Sequence, residues 1–225
     1  MASAALALSS KEQIVVTAER LFAEHGIDGV SLRQIGQSAG NGNNSAVQYH
    51  FGTKDNLIRA IFEYRLPYLT RRRQLLVAER RPSSLRSWVE CYLTPVLEQA
   101  EHPGSWYLTF VTQLHRWDRG RLLLGRMPAP ARATTEEFFA RLGGFLDIPE
   151  PLRSNRISQA VTACLHACAD REAERLRGEP LLPYAVHMRD LLDGLVGFLQ
   201  APVSAEAVAA LDSASEPRRL RVVVP

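Results

Sequence analysis

The 225-residue chain contains no run of 18 apolar residues, which argues against a membrane-spanning helix. It has only three cysteines, Cys91, Cys164 and Cys168. An odd number with no secretory signal ahead of it does not build a disulfide framework, so free thiols in a reducing, cytoplasmic setting are expected. The opening MASAALALSS is apolar, but it has no basic residue and meets Lys11 and Glu12 too soon to act as an export signal. Strand-type alternation is missing, and the β-branched run Val222 to Val224 stands at the C-terminal end. Also lacking are a carboxylate pair, a nucleophile elbow, a phosphate loop and a quartet of metal ligands. A helical enzyme using His115 or His166 as acid or base therefore lacks the partners its chemistry requires. No catalytic residue, cofactor or metal is expected. Charge of one sign is scarce too: 27 basic residues against 24 acidic ones leave a net +3, compatible with a polyanionic partner without requiring one.

What the chain does have is helical periodicity. Ile14, Ala18, Leu21 and Phe22 share one face of a first helix, and Gly26 stops it. Ser31 and Gln34 have capping-box spacing ahead of Leu32, Ile35 and Ala39, and glycines at 40 and 42 end that short helix. A third short segment runs from Asn43 to Phe51 and closes at Gly52, after which Thr53 caps a fourth helix with Asp55 in its first turn. Pro67 predicts a kink or short break before the pattern continues to Arg81. Further helical segments span 85–100, 106–117, 133–146, 152–177 and 184–199, separated by Pro or Gly clusters. The reading is all-α: a flexible arm at 1–10, a three-helix head at 11–54, a larger helical body at 55–202 and a weakly ordered tail at 203–225.

The stretch NGNNSAVQYHFGTKDNL, residues 41–57, concentrates polar side chains within this apolar pattern. A short capped helix, a glycine-containing turn and a second short, polar helix make a helix-turn-helix, whose second helix lies in the major groove of double-stranded DNA. Asn43, Asn44 and Gln48 can offer donor and acceptor together to adenine, Ser45 can address any base, and Tyr49 and His50 can reach phosphate oxygens. Phe51 belongs to the core. The N-termini at Ser31 and Thr53 expose backbone N–H groups that suit phosphate, and Lys54 adds a charge beside the second. Within residues 1–54, however, Lys11, Arg20, Arg33 and Lys54 are balanced by Glu12, Glu19, Glu24 and Asp28, so few phosphate contacts and a shallow salt dependence are expected. A protein-binding adaptor with the same segment on its surface is the alternative.

Residues 11–62 resemble the N-terminal domain of the TetR family of transcriptional regulators. The resemblance rests on AERLFAEHGIDGVSLRQIGQSAG, residues 18–40, and YHFGTKDNL, residues 49–57. The turn NGNN is one residue longer than the usual form, and Gln48 stands where the family often has Tyr. The resemblance implies phosphate contacts from Ser31, Arg33, Thr53 and Lys54, a ligand-responsive dimer that is most often a repressor, and a four-helix bundle made by the final helices of two subunits.

A short recognition helix reads only a few base pairs, so a homodimer is expected on physical grounds as well. Candidate interface residues are Ile157, Val161, Leu165 and Cys168 on one late helix, and Met188, Leu191, Leu192, Leu195 and Phe198 on the next, where Gly194 and Gly197 permit close approach. The middle helices gather Trp88, Tyr92, Trp106, Phe110, Gln113, His115 and Trp117, a mixture suited to a small apolar or aromatic effector. Arg71, Arg72 and Arg73 are expected on a solvated or internally ion-paired face. Cys164, His166 and Cys168 have C-x-H-x-C spacing, but on a helix the histidine points away from the two thiols, so buried thiols are expected in place of a metal site.

Overall fold

The computed structural model describes residues 8–40, 46–117, 125, 127–150 and 152–213. Ten helices are assigned among them, and no strand. They are α1 (Ser10–His25), α2 (Leu32–Ser38), α3 (Ala46–Phe51), α4 (Lys54–Arg80), α5 (Leu85–Glu101), α6 (Tyr107–Arg116), α7 (Ala129–Gly143), α8 (Leu152–Arg177), α9 (Tyr184–Gln200) and α10 (Ala205–Ser213). Residues 1–7 of the expected arm and 214–225 of the expected tail lie outside the described residues.

Local chemistry sets the starts. Ser9 and Glu12 form a capping box, in which the Glu12 carboxylate accepts from the Ser9 N–H at 2.9 Å, so α1 begins before Lys11. Ser31 and Gln34 repeat the device at α2. The turn between them requires Gly29, where a Cβ would stand 2.4 Å from the His25 carbonyl oxygen. Two expectations change. Helix α7 starts at Ala129, earlier than periodicity suggested, because Pro130 sits in its first turn, where a missing N–H costs nothing. The segment after Pro202 is helical over Ala205–Ser213 although it buries none of its residues, and Ser204 supplies its cap by accepting from the Ala207 N–H at 3.2 Å.

Helix α4 runs unbroken through Pro67, whose ring nitrogen has no hydrogen to give the Glu63 carbonyl. Its length of about 40 Å at 1.5 Å per residue carries it out of the head and through the body. There it packs against α1, α5 and α7, while α6 packs between α1 and α8, and α9 lies on α5 and α8. One continuous apolar core follows these contacts, from Ile14 and Phe22 through Phe62 and Phe110 to Leu97, Leu165 and Leu195.

Two fully buried carboxylates fasten α6 from opposite sides. Glu19 on α1 accepts both Arg65 Nε and Arg65 Nη2 at 2.7 Å, and its Oε1 also accepts the Trp106 backbone N–H at 3.1 Å. Glu172 on α8 accepts from Ser105 Oγ at 2.9 Å and from the Thr109 N–H and hydroxyl, both at 2.8 Å. It thereby caps a helix whose own N-cap residue, Trp106, has no suitable side chain. Burial pushes the Glu172 carboxyl above the ordinary range despite these donors.

Glu19→Ala leaves the Arg65 guanidinium buried without its partner and is expected to cost about 3–5 kcal/mol, whereas replacing both residues with apolar ones costs far less. Urea denaturation of the single and double variants checks this; equal losses in both would show that the pair is not the unit responsible.

Candidate nucleic-acid interface and ligand cleft

Helix α3 has six residues and one turn and a half, so tertiary contacts must hold it. Val47 and Phe51, four apart, are buried and fasten it to the core. Gly52 closes it with φ +68°, its N–H bonding the Gln48 carbonyl at 3.0 Å. The remaining positions face outward: Gln48, Tyr49 and His50 are all exposed. Tyr49 is 86% exposed, with only an edge contact to His50 at 5.3 Å between ring centroids.

Around this helix the other residues read from the sequence take several places. Arg33 is exposed on α2. Thr53 accepts the Asn56 N–H at 3.2 Å, and Asn56 Nδ2 in turn donates to the Phe51 carbonyl at 2.8 Å, so the α3–α4 junction is closed from both sides. The Ser31 hydroxyl is spent within its capping box, donating to Gln34 Oε1 at 2.7 Å, so the backbone of that helix end is what remains for an anion. Lys54 is half-buried; its ammonium donates to the Ile27 carbonyl at 2.8 Å and ties α4 to the α1–α2 turn. Asn43, Asn44 and Ser45 lie outside the described residues. Sequence spacing passed over Lys11, which the fold brings to α3: it is exposed, and its ammonium stands 5.9 Å from the Phe51 ring centroid.

Residues 14–61 match the family model described as bacterial regulatory proteins, tetR family. The match covers the first four helices, from within α1 to within α4, and leaves the rest of the chain unmatched by that model. A curated relative, the HTH-type transcriptional repressor AcnR of Corynebacterium glutamicum, is 38% identical over 53 residues, 24% of this chain and 28% of that protein. The chain thus matches little more than a quarter of that relative's length. Two solved structures share the fold: the fatty acid degradation regulator FadR of Bacillus halodurans, with a TM-score of 0.58, 14% identity and 85% and 96% of the two chains covered, and Mycobacterium smegmatis AmtR, with a TM-score of 0.53, 18% identity and 96% and 100% covered. The sequence matches fall on the head, and the likeness to solved structures, which extends over the body, is one of fold.

The body contains a cleft of about 180 Å³ between α4, α5 and α7, lined by Arg73 and Val77, by Trp88, Cys91 and Tyr92, and by Thr134 and Phe138. Two of the seven residues read as a ligand set, Trp88 and Tyr92, are in it. The others sit elsewhere because α6 serves the junction between head and body. Phe110 packs on Phe22 and Phe62, Gln113 donates to the Ala23 carbonyl, Trp117 Nε1 donates to Asp28 Oδ1 at 2.9 Å, and the Trp106 N–H is held by Glu19. The His115 ring lies 6.3 Å from that of His166. Tyr92 stacks on Phe138 at 4.2 Å, and burial pushes its phenol up to about 12, so it stays neutral. The three arginines of α4 have separate fates: Arg71 is exposed, Arg72 forms a two-pronged pair with Glu98 at 2.9 and 2.8 Å, and Arg73 is buried over Tyr92.

The stripe read as a dimer interface is largely internal. Ile157, Val161, Leu165, Cys168, Leu192 and Leu195 are buried within the single chain, because α8 and α9 use these positions to cover α5 and α6. Met188 and Leu191 are half-buried, and Phe198 is exposed. The face of α9 left open carries Val186, Asp190, Gly194 and Gly197 beside Phe198. Cys91, Cys164 and Cys168 are free and buried, and His166 turns away to the Thr162 carbonyl at 2.9 Å.

Val47→Ala is expected to destabilise by about 2 kcal/mol, since it removes a fully buried anchor. Tyr49→Ala is expected to stay within about 0.5 kcal/mol, since its ring contributes almost no burial. Thermal denaturation of the two variants measures the contrast, and a large loss from Tyr49→Ala would make that ring a structural element.

Proposed function

We propose that this chain is a sequence-specific DNA-binding transcriptional regulator, a homodimer whose hold on its operator responds to a small molecule. The observation that carries the reading is the outward row Gln48, Tyr49 and His50 on a short helix fixed from behind by Val47 and Phe51. That is the arrangement a major-groove helix requires: polar side chains toward base edges and phosphates, apolar ones toward a rigid support. Repression is the favoured sense, in keeping with the repressor whose head this one resembles. Bases are read by Gln48 with Asn43, Asn44 and Ser45, while Tyr49, His50, Arg33 and Thr53 bind phosphates.

Two heads are needed for an operator of useful length, with half-sites about one helical turn, ~34 Å, apart. The open face of α9 around Gly194, Gly197 and Phe198 is the surface we assign to the dimer, with the half-buried Met188 and Leu191 at its margin. Coupling runs along α4, which begins at the cap beside α3 and ends as a wall of the cleft. An effector acts only if it binds one position of α4 more tightly than the other, since equal affinity shifts nothing.

In a gel shift with DNA flanking the protein's own gene, the wild type is expected to bind, and Gln48→Ala with Tyr49→Ala to abolish binding without changing the mass of the dimer in size-exclusion chromatography. Retained binding by the double variant would move the reader elsewhere, and binding to proteins alone would favour an adaptor. We assign the phosphate charge contacts to Lys11 and Arg33, two exposed cations per subunit, so log Kd against log salt is expected to have a slope of magnitude near 0.9 × 4, about 3.6. Lys54→Met is expected to lower stability and leave that slope unchanged; a slope reduced by about two would put Lys54 back on the phosphates.

A further inference from the structure

Arg73 is 8% exposed, and its Nε has no hydrogen-bond partner. Among the described residues no carboxylate pairs with it, and what it has is the Tyr92 ring, 4.2 Å from guanidinium carbon to centroid. Three other arginines of α4 are matched: Arg65 with Glu19, Arg72 with Glu98 and Arg80 with Glu90. Arg73 borders both the cleft between α4, α5 and α7 and a smaller cavity of about 30 Å³ behind it, which Leu66, Val96 and Tyr107 help to line. A charge withdrawn from water, bordering a cleft and without a counter-ion among the described residues, is an arrangement that an anion would complete. Glu137 reaches the rim of the cleft, but it is exposed and its paired cation is Arg141, 3.8 Å away on the same helix.

We propose that the cleft takes a small monocarboxylate with a one-ring aromatic or short aliphatic body, its carboxylate on Arg73 and its body among Val77, Trp88 and Phe138. The proposal rests on reading the body as the ligand-sensing part and adds the ligand's charge and class to it. One unmatched guanidinium calls for one negative charge, and its planar fork fits the two oxygens of a carboxylate. A polyphosphate would need several cations, whereas among the described residues Arg73 is the one cation that lines this cleft. The volume, about 180 Å³, falls below the ~300–1,000 Å³ of most ligand sites, which sets the one-ring limit. Because Arg73 belongs to α4, the anion binds the same helix whose first turn supports the reading head.

The test is calorimetry on the full chain with benzoate, phenylacetate and hexanoate, each against its own amide, with tryptophan fluorescence recorded in parallel. At least one acid is expected to bind saturably and at least about tenfold more tightly than its amide, and to change an emission that Trp88→Phe abolishes. Arg73→Met is expected to remove the preference for acid over amide while melting no lower than the wild type, since it deletes an unpaired buried charge. Arg73→Lys keeps the charge without the fork and is expected to retain a weakened preference. Amides that match their acids in the wild type, a preference that survives Arg73→Met, or no binding by any of the three acids at millimolar concentration would each overturn the proposal. The gel shift reports separately. Acid binding by a protein that ignores DNA upholds this site and rejects the regulator, and DNA binding without acid binding does the reverse.

Discussion

A carboxylate with no exposure to water, Glu19, receives three donors from two other parts of the chain, and the relation of head to body depends on it. Burying an ion pair is costly, and the cost is offset only when the geometry is good and the remaining lone pairs are satisfied. Here Arg65 supplies two N–H groups in the plane of the carboxylate, and Trp106 supplies the third from the start of α6. Three helices, α1, α4 and α6, are thus joined at one carboxyl group. Glu172 performs the matching service from α8, so α6 is held at its first turn by both the head and the far wall of the body.

This arrangement places rigid connections where a signal would have to pass. Arg65 lies on α4 between the cap at Thr53, which supports α3, and Arg73, which borders the cleft. A displacement of α4 at the cleft therefore pulls on the Glu19 pair and on the junction with α6 before it reaches α3. Packed interiors of this density shift between discrete arrangements in preference to deforming smoothly, which suits the coupling proposed above.

Much of the fold was legible because it depends on neighbours in sequence. The capping box at Ser31, the cap at Thr53 and the glycine stop at Gly52 are decided over three or four residues, and the apolar spacing of Ile14, Ala18 and Phe22 reads directly as a buried face. Tyr49 was not legible in this way, since a tyrosine suits a core as well as a surface; with Val47 and Phe51 buried behind it, it joins Gln48 and His50 on the outward side. The cleft was harder. Trp106, Phe110 and Trp117 have the chemistry of a ligand pocket, yet α6 is packed between α1 and α8, where the same rings serve as core and as ties to Asp28 and Phe22. The apolar stripe of α8 and α9 showed that a face is buried without showing whether against the same chain or a second one.

By itself the sequence determined the helices, their caps, the turn chemistry of the head and the polar character of the reading helix, because these follow from backbone donors, acceptors and periodicity within a few residues. Tertiary structure alone decided the fate of the charges. Lys54 reached the Ile27 carbonyl, Lys11 came beside α3, Glu19 met Arg65, and of three consecutive arginines one was exposed, one paired and one buried beside a cleft. The physical reason is that a charge's environment is set by which distant segments exclude water around it and which supply a partner, and neither is written in its immediate neighbours.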